Sequence, residues 1–210
     1  MTKVFVKILA ALIIGLLIGF TGAYLYQQQT INKLSESLNG QPLSVQNGEI
    51  HLKATINNGA FASASFHGIA YELGKNGEVA LFKTKATPKQ FYDALTSLGA
   101  LPGNNVKMDS DNTTYVQGTG LDVYVTWDGA PQRYTLQEVL NGCIVDIKFG
   151  GNLETSNSMG TGCITCLGSC AVGISSNAAY AAKTSPQFTA NSDILPPVGT
   201  EITVIYSLKA

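Results

Sequence analysis

Cys163, Cys166 and Cys170 fall within eight residues of one another, in a C-x2-C-x3-C spacing. Sulfur in the thiolate form is both the nucleophile of thiol chemistry and a soft metal ligand. Three such groups so close in sequence can converge on a metal ion or an iron–sulfur cluster, pair as disulfides, or remain free for redox exchange. Cys143 stands 20 residues before Cys163 and is the candidate fourth ligand. Four cysteines also allow three disulfide pairings. The bacterial ferredoxin run has a further cysteine and a closing proline; here Ala171 takes the proline's place. Zinc sites usually pair two C-x2-C hooks, or one with histidines. This chain has one hook, and its two histidines, His51 and His67, read as ordinary strand residues.

The segment carrying the sulfurs, Gly150–Tyr180, has six glycines between 150 and 173 and no strand or helix periodicity. It reads as a loop whose ordering entropy must be offset by bonds between sulfurs, or between sulfurs and a metal. Cys163, Cys166 and Cys170 are therefore expected to act as one constellation, with Cys143 close by. Other chemistry finds no support. No Ser/His pair stands out, Asp109-x-Asp111 lacks the glycine and distal glutamate of a calcium loop, and Gly118-x-Gly120 lacks a third glycine before a helix. Neither a hydrolase nor a nucleotide-dependent enzyme is indicated.

The elements that must position these residues are mostly strands. Glu49–Ile56 alternates apolar and polar side chains, as a half-buried strand does. Residues 65–73 and 78–82 read as a hairpin across Gly74–Gly77, and 121–127, 143–149 and 201–208 as further strands. One helix is well marked over 88–98. Thr87 is its N-cap, Pro88 fills the first position and Gln90 completes a capping box, while Phe91, Ala94, Leu95 and Leu98 form one stripe. These elements predict an α+β fold, a mostly antiparallel sheet with one main covering helix and a Gly/Cys-rich loop segment.

Ile8–Tyr26 is apolar except for Thr21, and the only lysines nearby, Lys3 and Lys7, precede it. A helix of that length matches the bilayer core, with the positive end inside. The reading is a transmembrane signal-anchor at 1–26, a linker at 27–42 and an extracytoplasmic domain at 43–210. The protein would then sit in the cell membrane as a single-pass species whose partner is the lipid bilayer through residues 8–26. Thr21 and Ala23 offer the alternative of secretion after cleavage near Ala23. Only 13% of residues are charged, against about 25% usually, which excludes a solvated disordered chain. A formal net charge of −1 without a basic run excludes a nucleic-acid partner.

The stretches ALFKTKATPKQFYDALTSLGALPGNN (80–105), VYVTW (123–127), GGN (150–152) and TGCITCLGSCAVGISSNAAY (161–180) carry a resemblance. They resemble the YdjY-type domain, also described as an N-terminal region of 4Fe-4S ferredoxin-like proteins. The resemblance implies a bacterial extracytoplasmic domain with a Cys-ligated 4Fe-4S cluster or other metal, held at the matching positions Cys163, Cys166 and Cys170. Cys143 lies outside the specific piece. The expected function is a membrane-anchored redox or electron-transfer domain with a redox or cell-surface protein partner. The alternative is a disulfide-stabilised binding module without catalysis.

Overall fold

Alternation over residues 49–56 places Ile50, Leu52, Ala54 and Ile56 on one buried face of a strand. The structure, a computed structural model, describes Gln27 and residues 40–210. Its strands are β1 (Leu43–Gln46), β2 (Glu49–Ile56), β3 (His67–Tyr71), β4 (Phe82–Thr84), β5 (Gly120–Trp127), β6 (Tyr134–Thr135), β7 (Ile147–Phe149), β8 (Cys163–Cys166), β9 (Ser175–Asn177) and β10 (Glu201–Leu208). The described helices are α1 (Pro88–Ser97) and α2 (Leu153–Met159). Neighbours run β2-β10-β5-β7-β9-β8-β3-β4, and β4 pairs back onto β2, so eight strands close into a barrel. Strands β1 and β6 flank it, on β2 and β5. Closure leaves the eight without a free edge. Helix α1 keeps its capping box at Thr87 and Gln90. It buries Phe91 and Leu95, with Phe91 packed on Tyr206 of β10 at 4.7 Å between ring centroids.

The expected α+β class is thereby corrected to a mostly β closed barrel with two short helices. A 10-residue helix is too small to cover the sheet; its role is to fill one part of a core that the barrel itself builds. The expected hairpin of residues 65–82 is also corrected, because β3 and β4 pair in parallel. The chain between them does not reverse tightly. Buried Asn57 shares the two hydrogens of its side-chain amide among the carbonyls of Gly77, Glu78 and Ala80, each at 3.0 Å, and so holds the return connection. The Gly/Cys-rich stretch is not a loop throughout, since it contributes α2, β8 and β9. Strand 143–149 shortens to Ile147–Phe149, leaving Cys143 outside it.

No helix among the described residues is long and apolar enough to cross a membrane. The expected transmembrane helix and single-pass membrane placement find no helix to rest on among the described residues. The stretch 8–26 itself, the cleavage position near Ala23 and most of the linker 27–42 lie outside the described residues.

The barrel interior is partly polar. Strands β8 and β10 are not neighbours around the barrel, yet the Tyr206 hydroxyl lies 2.7 Å from Thr165 Oγ1, both fully buried. Ser175 Oγ donates to the Ile164 carbonyl, so Thr165 donates to Ser175 at 2.8 Å and Tyr206 donates to Thr165. Burial also pushes the Tyr206 phenol up, which keeps it a donor. Tyr206→Phe removes the donor and leaves a buried oxygen short of a partner. It should lower unfolding stability by about 1–2 kcal/mol, read by urea denaturation; an unchanged midpoint would show that the bridge contributes nothing.

Candidate metal centre

Backbone contact between two segments assembles the site. Tyr71 N–H donates to Gly162 O at 2.7 Å, and Lys75 and Asn76 donate to Gly160 and Thr161, each at 3.0 Å. The chains lie so close that a Cβ on Gly74 would meet Gly162 Cα at 2.6 Å, and Gly162 itself has φ +75°. Only glycine fits both demands. This seam carries Asn76 to Cys163, where its amide Nδ2 donates to the sulfur at 3.2 Å. On the other side β3 pairs with β8, with His67 opposite Cys166, and shifts in register tilt the strands. His67 Nδ1 comes within 3.4 Å of Cys163 Sγ. One ligand atom each from His67, Cys163 and Cys166 lies within 4.8 Å of the other two.

Cys163 and Cys166 are buried, and Cys170 is partly exposed beside them. The structure thus brings Cys163, Cys166 and Cys170 into one cluster as free thiols. Cys143 is placed elsewhere. It belongs to the main hydrophobic core, and its sulfur meets Asn177 Nδ2 at 3.7 Å. Burial pushes its thiol up to about 12, against the pull of the Asn177 amide, so it stays protonated and inert.

Electrostatics set the three clustered sulfurs apart. A hydrogen bond from Cys166 does most to lower Cys163, to about 5, aided by His67 and Asn76 and opposed by burial. His67 is raised, first through its hydrogen bond with Cys163 and against its own burial. Cys166 is raised well above the usual thiol range, because its proton is held by Cys163 and Cys170. One S–H serves one neighbour at a time. Cys170 is lowered by Cys166 and by the backbone N–H groups of Val172 and Gly173. The shifts favour charge on Cys163 and on His67 beside it, while Cys166 is the thiol that keeps its proton. Gly173 packs against it: an added Cβ would lie 2.9 Å from Cys166 Sγ and 2.6 Å from Ser176 Oγ.

One donor separation matches a single small ion, and all three donors lie within 4.8 Å of one another. A tetrahedral zinc, with Zn–S about 2.3 Å and Zn–N about 2.0–2.1 Å, holds its donors roughly 3.5–3.8 Å apart. The His67–Cys163 separation of 3.4 Å is close to that. A 4Fe-4S cubane instead spreads its cysteines over separate irons, which three donors within one ion's reach do not fit. Asn76 supplies the outer-shell hydrogen bond that tunes such a sulfur. Sequence reasoning missed His67 and Asn76, which lie 96 and 87 residues from Cys163. His51, by contrast, pairs with Glu49 at 3.1 Å and takes no part.

Comparison with known proteins gives a family. The Escherichia coli (strain K12) protein YdjY is 40% identical over 180 residues, covering 81% of this chain and 80% of its own length. No solved structure matches. Neither YdjY match carries a ferredoxin or iron–sulfur description, so that part of the resemblance is corrected. The YdjY domain model matches residues 43–207, which include all of the barrel but Leu208 and all four cysteines, and the chain belongs to that family.

Proposed function

We propose that this protein binds a soft or borderline divalent or monovalent ion, zinc first, through His67, Cys163 and Cys166. The observation that carries the reading is three ligand atoms mutually within 4.8 Å in a buried pocket. Two thiolates and an imidazole favour zinc or Cu(I) over hard cations. Cys163, with its lowered thiol, competes little with protons at neutral pH, whereas Cys166 gives up its proton when the ion binds. Cys170 lies outside this three-donor group and lines both cavities beside it.

Opposite shifts at Cys163 and Cys166 also describe a nucleophile and a resolving thiol, the redox reading. Burial supports the metal reading over the redox one. Cys163 is 0% exposed, and a nucleophile for protein disulfides has to be reached by them. The test is titration of the reduced, metal-free chain with Co2+. Expected are sulfur-to-cobalt charge transfer, one ion per chain, displacement by zinc, and no change in Cys143→Ser. Binding equal to that of a Cys163→Ser/Cys166→Ser double variant would overturn the proposal. Iron with acid-labile sulfide in the anaerobically purified protein would replace it with a cluster.

A further inference from the structure

Two cavities meet at Ser169, Cys170 and Lys183. The larger, about 480 Å³, has the size of a small-molecule site, which runs to roughly 300–1,000 Å³. Lys75, Lys107 and Lys183 stand in its wall, and no aspartate or glutamate does. The whole chain has 13 basic and 14 acidic side chains, so three of one sign and none of the other is a sorted surface. Among the described residues none of these lysines forms an ion pair. Their charges are left for something else. The same wall holds Val106, Val172, Met108 and Met159, and the two methionines are 57% and 37% exposed. Apolar surface of this kind stays in water only until a ligand covers it. Methionine, unbranched and polarizable, adapts to varied apolar shapes.

We propose that this groove binds a small amphiphilic carboxylate, its head on the three ammonium groups and its chain on the methionine and valine wall. Compact point charges on flexible stems suit a carboxylate head whose exact orientation is not fixed. The backbone of Lys75 is fixed by its N–H bond to the Gly160 carbonyl at 3.0 Å, which holds the base of its side chain beside the cavity. His67, Cys163 and Cys166 are absent from the wall, so the inference stands apart from the metal reading.

Amide NMR shifts of the full-length, reduced, metal-free chain, followed during titration with octanoate or with octylammonium, test it. Octanoate should move the amides of 106–108, 169–172 and 182–183, and bind at these positions at least about tenfold more tightly than octylammonium, as charge complementarity requires. The Lys75→Gln/Lys107→Gln/Lys183→Gln variant should lose that preference. Equal binding of both amphiphiles to the wild-type groove, or no localised shift with octanoate, would overturn the proposal whatever the variant does. Because no metal is present, either result leaves the cobalt titration untouched.

Discussion

Zinc affinity should fall at least about a hundredfold when Cys163 becomes serine, and about ten- to a hundredfold when Asn76 becomes leucine. Cys163 is the sulfur on which the imidazole, the Asn76 amide and the Cys166 proton converge, so its loss removes a ligand and scatters the rest. Asn76→Leu keeps every ligand and removes only the hydrogen bond that holds one in place. Cys170→Ser should cost less than about tenfold, because its sulfur is outside the three-donor group. A competition assay against a chromophoric chelator reads all three, and equal losses at Cys163 and Cys170 would refute the assignment.

The metal-free protein carries a pH signature of the same geometry. Cys163 is depressed from 9.0 to about 5, so its contribution to stability is complete above pH 9.0 and is lost as pH falls through about 5. His67 is raised from 6.5, so its contribution is complete below 6.5 and is lost as pH rises through its folded value. The sulfurs titrate together, and the first proton leaves the dithiol near pH 5 while the next is held well above 9.0. Ultraviolet thiolate absorbance should show this first step, and His67→Ala should move it upward. A single step near the ordinary thiol value in the wild type would sink the account.

Asn57→Ala should destabilise the barrel by about 3 kcal/mol, the largest loss expected from one polar side chain outside the metal centre. Asn57 is 2% exposed, and its amide holds three carbonyls on the connection from β3 to β4. Alanine leaves the buried carbonyls of Gly77 and Ala80 without that donor. The same connection bears Asn76, one residue before the first of the three acceptors, so zinc affinity should drop as well. Guanidinium denaturation with hydrogen exchange over 77–81 checks both effects. A variant within about half a kcal/mol of wild type would mean that the connection is held by other means.

Legibility in the sequence tracked how far each element obeys a period. Strands β2, β5 and β10 carry long apolar alternation and were readable, as was α1 from Thr87, Pro88 and Gln90. Strands β8 and β9, Cys163–Cys166 and Ser175–Asn177, are buried at every position. They show no alternation, and β9 is wholly polar, so nothing in their composition distinguishes them from a loop. Their burial is satisfied by contacts such as Thr165 to Tyr206, which only barrel closure creates. His67 was hidden for the same reason. It reaches Cys163 because β3 and β8 pair across 96 residues of chain, a distance no local spacing encodes. Cys143 misled in the opposite direction, since proximity in sequence to the cysteine run did not become proximity to its sulfurs.

The last strand lies between two earlier ones: β10 pairs with β2 through Tyr206 and Ile50 and with β5 through Val204 and Val125. During synthesis, then, β2 and β5 emerge long before the segment that joins them. Until Leu208 has left the ribosome the nascent chain presents two open edges, and the ring cannot shut. Contacts of such sequence separation make folding slow and leave the unfinished chain prone to pairing with its neighbours. A stop codon at position 201 would remove the whole of this keystone strand and leave the ring open between β2 and β5.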